Sequence, residues 1–138
     1  MREHLFKGQT RRKGERVWMN GELVDSHWVY GGLFQGNGDF SVIYTYDPIG
    51  KRTVYSDTVC EYTGQLDRDG MKIFEHDVMK FTNEDGEDSF YRVEWRENRF
   101  IVVDVENSNA VDDLDRFFCD SAIVVGNKFD GWRQEEKE

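Results

Sequence analysis

The chain contains one proline and two cysteines in 138 residues. A single proline excludes a proline-rich linker or a polyproline segment. Cys60 and Cys119 form no CxxC pair, which excludes a zinc site built from cysteine sets within the chain. No stretch approaches the roughly 18 consecutive apolar residues of a membrane helix, and no apolar signal-peptide core follows the charged start. The usual nucleotide and acyl-transfer motifs are missing as well. There is no GKS, GKT or GxSxG, and the GxGxxG frame opened by Gly36 and Gly38 fails at Ser41. These absences describe a soluble, intracellular chain whose two thiols are expected to be reduced and partly buried. They leave no membrane partner and no cofactor to expect.

What is present is charge and aromatic mass. The chain carries 18 Lys+Arg against 28 Asp+Glu, a formal charge of −10, together with 10 Phe, 6 Tyr and 4 Trp. Twenty rings can fill a core, so the polarity does not imply disorder. The charge is uneven. Residues 1–16 hold six bases (Arg2, Lys7, Arg11, Arg12, Lys13, Arg16) and two acids, a net of +4, which leaves 12 bases, 26 acids and a net of −14 for the rest. Phosphate contact relies on neutralising cations, so nucleic acid is not an expected partner of that larger part. The basic start is most simply a solvated segment.

The periodicity is that of short strands. Arg16–Met19 and Glu22–Val24 flank Asn20-Gly21, the composition of a tight hairpin. His27–Phe34, Phe40–Tyr46 and Arg52–Val59 follow, with Asp47-Pro48-Ile49-Gly50 as a turn between the last two. Further strands are expected at Met71–Phe74, Asp77–Thr82, Ser89–Trp95, Phe100–Val103 and Ala122–Gly126. Tyr91, Val93 and Trp95 alternate with Arg92 and Glu94 in the manner of a half-buried strand. One short helix is expected near residues 110–119, capped by Asn109, with Asp112 and Asp113 in its first turn and Val111, Leu114 and Phe117/Phe118 on one face. The tail from Arg133 to Glu138 is polar. A seam near Thr58–Tyr62 divides a β-meander over residues 1–58 from a second domain over 59–138.

Candidate chemistry is sparse. Gln65–His76 approaches a calcium-loop spacing through Asp67, Asp69 and Gly70, but Gln65 and His76 stand where the loop needs an aspartate and a bidentate glutamate. Glu75-His76-Asp77 groups an imidazole with two carboxylates, yet neighbours on a strand point to opposite faces and converge only at a turn. Glu84, Asp85, Glu87 and Asp88 mark a solvated hairpin tip. No catalytic or metal residue emerges.

The start, Met1-Arg2-Glu3 through Phe6-Lys7-Gly8 and Gly14-Glu15-Arg16-Val17-Trp18, resembles the opening of the YopX family of phage and prophage proteins. Tyr62-Thr63-Gly64-Gln65-Leu66-Asp67-Arg68-Asp69-Gly70-Met71-Lys72-Ile73-Phe74-Glu75-His76-Asp77-Val78 is similar to that family's most distinctive stretch, and Val93-Glu94-Trp95 and Val124–Asp130 look like its later landmarks. Two departures are visible. His76 stands where the family usually has glycine, which calls for a left-handed histidine or a changed turn. Gly131-Trp132-Arg133 replaces the usual ending. The resemblance implies a mainly β protein whose residues 59–130 form an SH3-like roll or barrel, encoded by a phage or prophage and present in the bacterial cytoplasm. It carries over no catalytic residues.

The expected function is that of a non-enzymatic accessory protein that binds another protein or self-associates. Trp28, Tyr30, Tyr44, Tyr46, Tyr91 and Trp132 are the candidate contact residues, since partly exposed aromatics mark interfaces. An alternative is an acidic mimic of nucleic acid that occupies the basic groove of a host enzyme.

Overall fold

A computed structural model describes residues 5–10, 17–19, 22–24, 28–34, 38–46 and 49–130, the side chains of residues 17–19, 22–24, 34 and 46 excepted. The expected turn at Asn20-Gly21, the first half of that at Asp47-Pro48-Ile49-Gly50, most of the basic start, the Tyr46 side chain, Trp132 and the polar tail lie outside the described residues, while Ile49 and Gly50 are strand, paired with Tyr46 and Thr45. Among the described residues the fold is mainly β, with thirteen strands, one α-helix and two 3₁₀ turns. No described helix is long and apolar enough to cross a membrane. The chain divides into two compact units, Glu3–Glu61 and Tyr62–Glu138.

The first unit holds β1 (Phe6–Gln9), β2 (Val17–Met19), β3 (Glu22–Val24), β4 (Trp28–Phe34), β5 (Phe40–Tyr46) and β6 (Ile49–Tyr55). The β2–β3 pair is antiparallel with Val17 opposite Val24 and Met19 opposite Glu22. The meander β4-β5-β6 carries β1 on its outer side, all antiparallel. Strand β6 starts before the expected Arg52 and stops at Tyr55, where Ser56–Thr58 forms a 3₁₀ turn. The Thr58 hydroxyl stops it there, donating to the Tyr55 carbonyl (2.7 Å) and accepting from the Gln9 N–H (2.9 Å). Side chains alternate across the pleat. One face buries Val29, Ile43 and Val54 with Phe6 and Val59 against them. Gly31 lets β4 and β5 approach, because a Cβ there would fall onto the Tyr44 carbonyl oxygen.

Strand β7 (Cys60–Leu66) begins beside β1 through Cys60 and Glu61. Its later residues belong to the second unit and pair with β8 (Lys72–Phe74). There β9 (Asp77–Thr82), β10 (Asp88–Arg96), β11 (Arg99–Asp104) and β12 (Asn107–Asp113) form a meander, and β13 (Ala122–Asn127) returns beside β9, giving the order β12-β11-β10-β9-β13. The sheet is open, since β12 and β13 lie at its two edges. Ile73, Met79, Val93, Val102, Leu114, Phe118, Cys119 and Ala122 form its core.

The helix is displaced from its expected place. Asn107–Asp113 is the edge strand β12, and α1 spans Arg116–Ser121. Asp115, not Asn109, is the cap, its carboxylate accepting from the Phe118 N–H at 2.9 Å. The three- and four-residue spacing of Val111, Leu114 and Phe118 is split between two elements, because pairing with β11 draws Val111–Asp113 into the sheet. The turns at Asp67–Gly70 and Asn83–Gly86 are as expected, with Gly70 and Gly86 at φ 85° and 82°. Glu84, Asp85, Glu87 and Asp88 are all exposed on or beside the second turn.

Candidate functional site

The residues of the Tyr62–Val78 stretch build a scaffold. Asp67 is buried, and its carboxylate accepts from three backbone N–H groups: Oδ1 from Asp69 (2.8 Å) and Met71 (2.9 Å), and Oδ2 from Val124 (2.9 Å). Both oxygens are thereby committed to backbone, so the calcium-like spacing has a structural explanation. Thr63 donates to the Ile73 carbonyl at 2.8 Å, and Gln65 reaches the Leu114 carbonyl at 2.7 Å. Lys72 lies over the Tyr62 ring, 5.1 Å from its centroid. Gly64 takes φ 91°, a value that suits glycine at the irregular point of β7.

The three residues Glu75, His76 and Asp77 fall at a turn but separate. Asp77 is buried and turns inward, accepting from the Phe74 N–H and from Asn127 Nδ2, both at 2.8 Å. His76 has φ 72°, the left-handed geometry that its substitution for glycine demands. Its Nε2 lies 3.5 Å from Glu75 Oε2, and its ring meets Phe129 edge-on at 5.3 Å. Nδ1 is buried with no hydrogen-bond partner among the described residues. Burial, with the Lys128 cation adding to it, pushes the imidazole down to about 4, so the ring is neutral at physiological pH. A neutral ring beside a carboxylate, with Asp77 facing elsewhere, is not a converging acid–base set.

The six aromatic candidates do not form one patch. Trp28 on β4 is half-buried, with Lys7 Nζ 4.6 Å from its ring centroid. Tyr30 and Tyr44 are 48% and 40% exposed, and lie on the face of β4 and β5 opposite the Val29–Ile43–Val54 core. Tyr91 belongs to the second unit, is half-buried, and packs edge-on against Phe118 at 5.2 Å. Two residues of the exposed face went unrecognised. Phe40, 48% exposed, lies beside Tyr55 with the rings tilted and their centroids 5.2 Å apart, and Ile49 at the start of β6 is exposed. Strand parity already contained that signal, because Phe40 and Tyr44 are four apart on one strand and share a face.

Both cysteines are buried. The Cys60 thiol donates to the Thr58 carbonyl at 3.2 Å, and burial pushes the Cys119 thiol up to about 11. Such thiols are inert rather than nucleophilic.

No curated protein matches the chain. The family model described as "YopX protein" matches residues 16–131, more than four-fifths of the sequence, and includes every strand from β2 to β13. The chain therefore belongs to the YopX family.

Proposed function

We propose that this is a non-enzymatic phage or prophage accessory protein that works by association in the bacterial cytoplasm, its first unit pairing with a second copy of itself. The observation that carries this reading is the aromatic face of β4-β5-β6, where Tyr30, Phe40, Tyr44 and Ile49 stand exposed on the side of the sheet away from its core. Exposed rings on one face of a sheet suit an isologous interface. Charge supports a second copy as the occupant. Residues 1–61 contain eight bases and eight acids, so two copies of this segment carry no net charge to oppose their meeting, while residues 62–138 carry ten bases, twenty acids and the whole net charge. The second unit is taken as an SH3-like module, supported by the return of β13 beside the first strand of the β9–β12 meander after a short helix.

Sedimentation equilibrium over a wide concentration range tests the reading. The wild-type chain is expected to dimerise, and Tyr44→Lys and Phe40→Lys are each expected to weaken the dimer at least about tenfold, about 1.4 kcal/mol. A monomer at every concentration overturns it.

The acidic-mimic reading keeps one observation in its favour, the confinement of the net −10 to residues 62–138. It requires binding to a nucleic-acid enzyme that falls steeply with salt. Salt-insensitive binding counts against it.

A further inference from the structure

The second unit contains a cleft of its own. Phe81 of β9 and Tyr91 of β10 form its floor, with Phe118 of α1 stacked on Phe81 at 5.9 Å and edge-on to Tyr91. Ala110 and Asp112 of the edge strand β12 make one wall, because Asp112 pairs with Val102 on the face that carries Tyr91, whereas Val111 pairs with Val103 and turns its side chain to the other face. Phe117 of α1 makes the other and is 73% exposed, the inverse of its buried neighbour Phe118. Successive residues on a helix face directions about 100° apart, so one phenylalanine of the pair must leave the core. Asp112 and Asp115 sit on the rim, and no lysine or arginine lines the cleft.

Size and charge restrict what fits. The volume is about 280 Å³, at the small end of the roughly 300–1,000 Å³ of sites for drug-sized ligands and cofactors. A cavity of about 150 Å³ holds a benzene ring, so this one suits a single large side chain. Burial and then the Asp104 and Asp112 carboxylates push the Tyr91 phenol upward, a sign that the floor already sits in a negative field. The nearest cation on the helix, Arg116, is directed to Asp120 at 3.9 Å.

We propose that this cleft binds a basic peptide segment of a partner protein, inserting one bulky apolar side chain between Phe117 and Ala110 while flanking lysines or arginines meet Asp112 and Asp115. The apolar anchor supplies the affinity, and the carboxylates select against acidic segments. The second unit of another copy is a poor donor of such a segment, because it is of like charge, and the basic start is the one self-derived alternative, which the test separates.

The test uses the full chain labelled with ¹⁵N and three nine-residue synthetic peptides. The first has a central tryptophan flanked on both sides by Lys-Arg. The second replaces the flanks with Glu-Glu, and the third replaces the tryptophan with serine. The first is expected to shift amide signals of residues 81, 91 and 110–118 with a Kd below about 1 mM, and the other two to bind at least tenfold more weakly. Phe117→Ser and Asp112→Lys change exposed residues, so both are expected to keep the folded spectrum and to lose at least tenfold in affinity. Equal binding of all three peptides, or no shift in the cleft, overturns the proposal. Tighter binding by a peptide copying residues 5–16 overturns the assignment to a partner protein. Because the cleft and the aromatic face lie in different units, a monomeric wild-type chain that binds the first peptide refutes the self-association reading and leaves this one standing.

Discussion

The folded chain is expected to lose stability on acidification through His76, and to stop doing so when that residue is removed. The imidazole has an ordinary value of 6.5 and is held at about 4 in the fold, first by burial and then by the Lys128 cation, with Glu94 opposing and Arg92 assisting. Between those two values the unfolded chain binds a proton that the native chain refuses, so stability falls as the pH drops from about 6.5 toward 4. Below 4 both states are protonated, and this group adds no further slope. The full shift corresponds to about 3.4 kcal/mol at 1.36 kcal/mol per unit. The ring is partly in contact with solvent, so screening reduces this to about 1–2 kcal/mol, of which about 1 kcal/mol is lost by pH 5. His76→Gly removes the proton site and relieves the left-handed backbone by about 1 kcal/mol. Against that, it loses the edge contact to Phe129, about 0.5–1.5 kcal/mol, and adds freedom to the unfolded chain, about 0.5–1 kcal/mol. At pH 7.5 the variant is therefore expected to be less stable than the wild type by about 0–1.5 kcal/mol, and between pH 7.5 and 5 the difference is expected to move by about 1 kcal/mol in the variant's favour. Urea titrations at pH 7.5, 6.5, 5.5 and 5.0 measure the gap, with His76→Asn as a second variant that tolerates the same backbone. Parallel stability curves for all three proteins would refute the reasoning.

Three further outcomes follow from buried groups. Asp67→Ala strands three backbone N–H groups and is expected to cost about 3–5 kcal/mol by urea titration, whereas Asp67→Asn keeps an acceptor and costs less than half as much; a cost below 1 kcal/mol for alanine contradicts the role given to this carboxylate. Gly31→Ala drives a Cβ into the Tyr44 carbonyl and is expected to destabilise the first unit by more than about 2 kcal/mol. Hydrogen exchange should then show lost protection in β4 and β5 but not in β9–β11. Cys119, with its thiol pushed up to about 11, is expected to alkylate about 100-fold more slowly at pH 8 than an ordinary thiol. Mass spectrometry of the labelled peptide reads the rate, and rapid labelling without unfolding argues against its burial.

Strand positions were largely legible because period-two alternation is a local property, as in Tyr91-Arg92-Val93-Glu94-Trp95. Depth was not. Val93 is fully buried while Trp95, on the same face, is exposed, because β10 runs past the end of the core. Strands β1 and β7 were missed: Phe6–Gln9 is too short to show a period, and although Cys60, Tyr62 and Leu66 alternate with Glu61, Thr63 and Gln65, the partners that define β1 and the start of β7 are distant in sequence. The helix error has the same origin, a local periodicity overridden by pairing of Val111–Asp113 with β11. Of the candidate surface, exposure at Tyr30 and Tyr44 followed from their residue types and strand parity. The Phe117 cleft did not, because it depends on which of two adjacent phenylalanines the helix turns inward. The left-handed backbone of His76 was legible only through the glycine pattern of the family.

The carboxylates of Asp67 and Asp77 reach forward 57 and 50 residues to Val124 and Asn127. During synthesis the β7–β8 hairpin therefore leaves the ribosome long before the groups that fasten it. Contacts of such sequence separation form late, since the intervening chain must first be ordered. The most distinctive stretch of the sequence thus acts as a latch set at the start of the unit and closed by its last strand, so a nascent chain cut short before β13 would carry every residue of the latch and none of its strike plate.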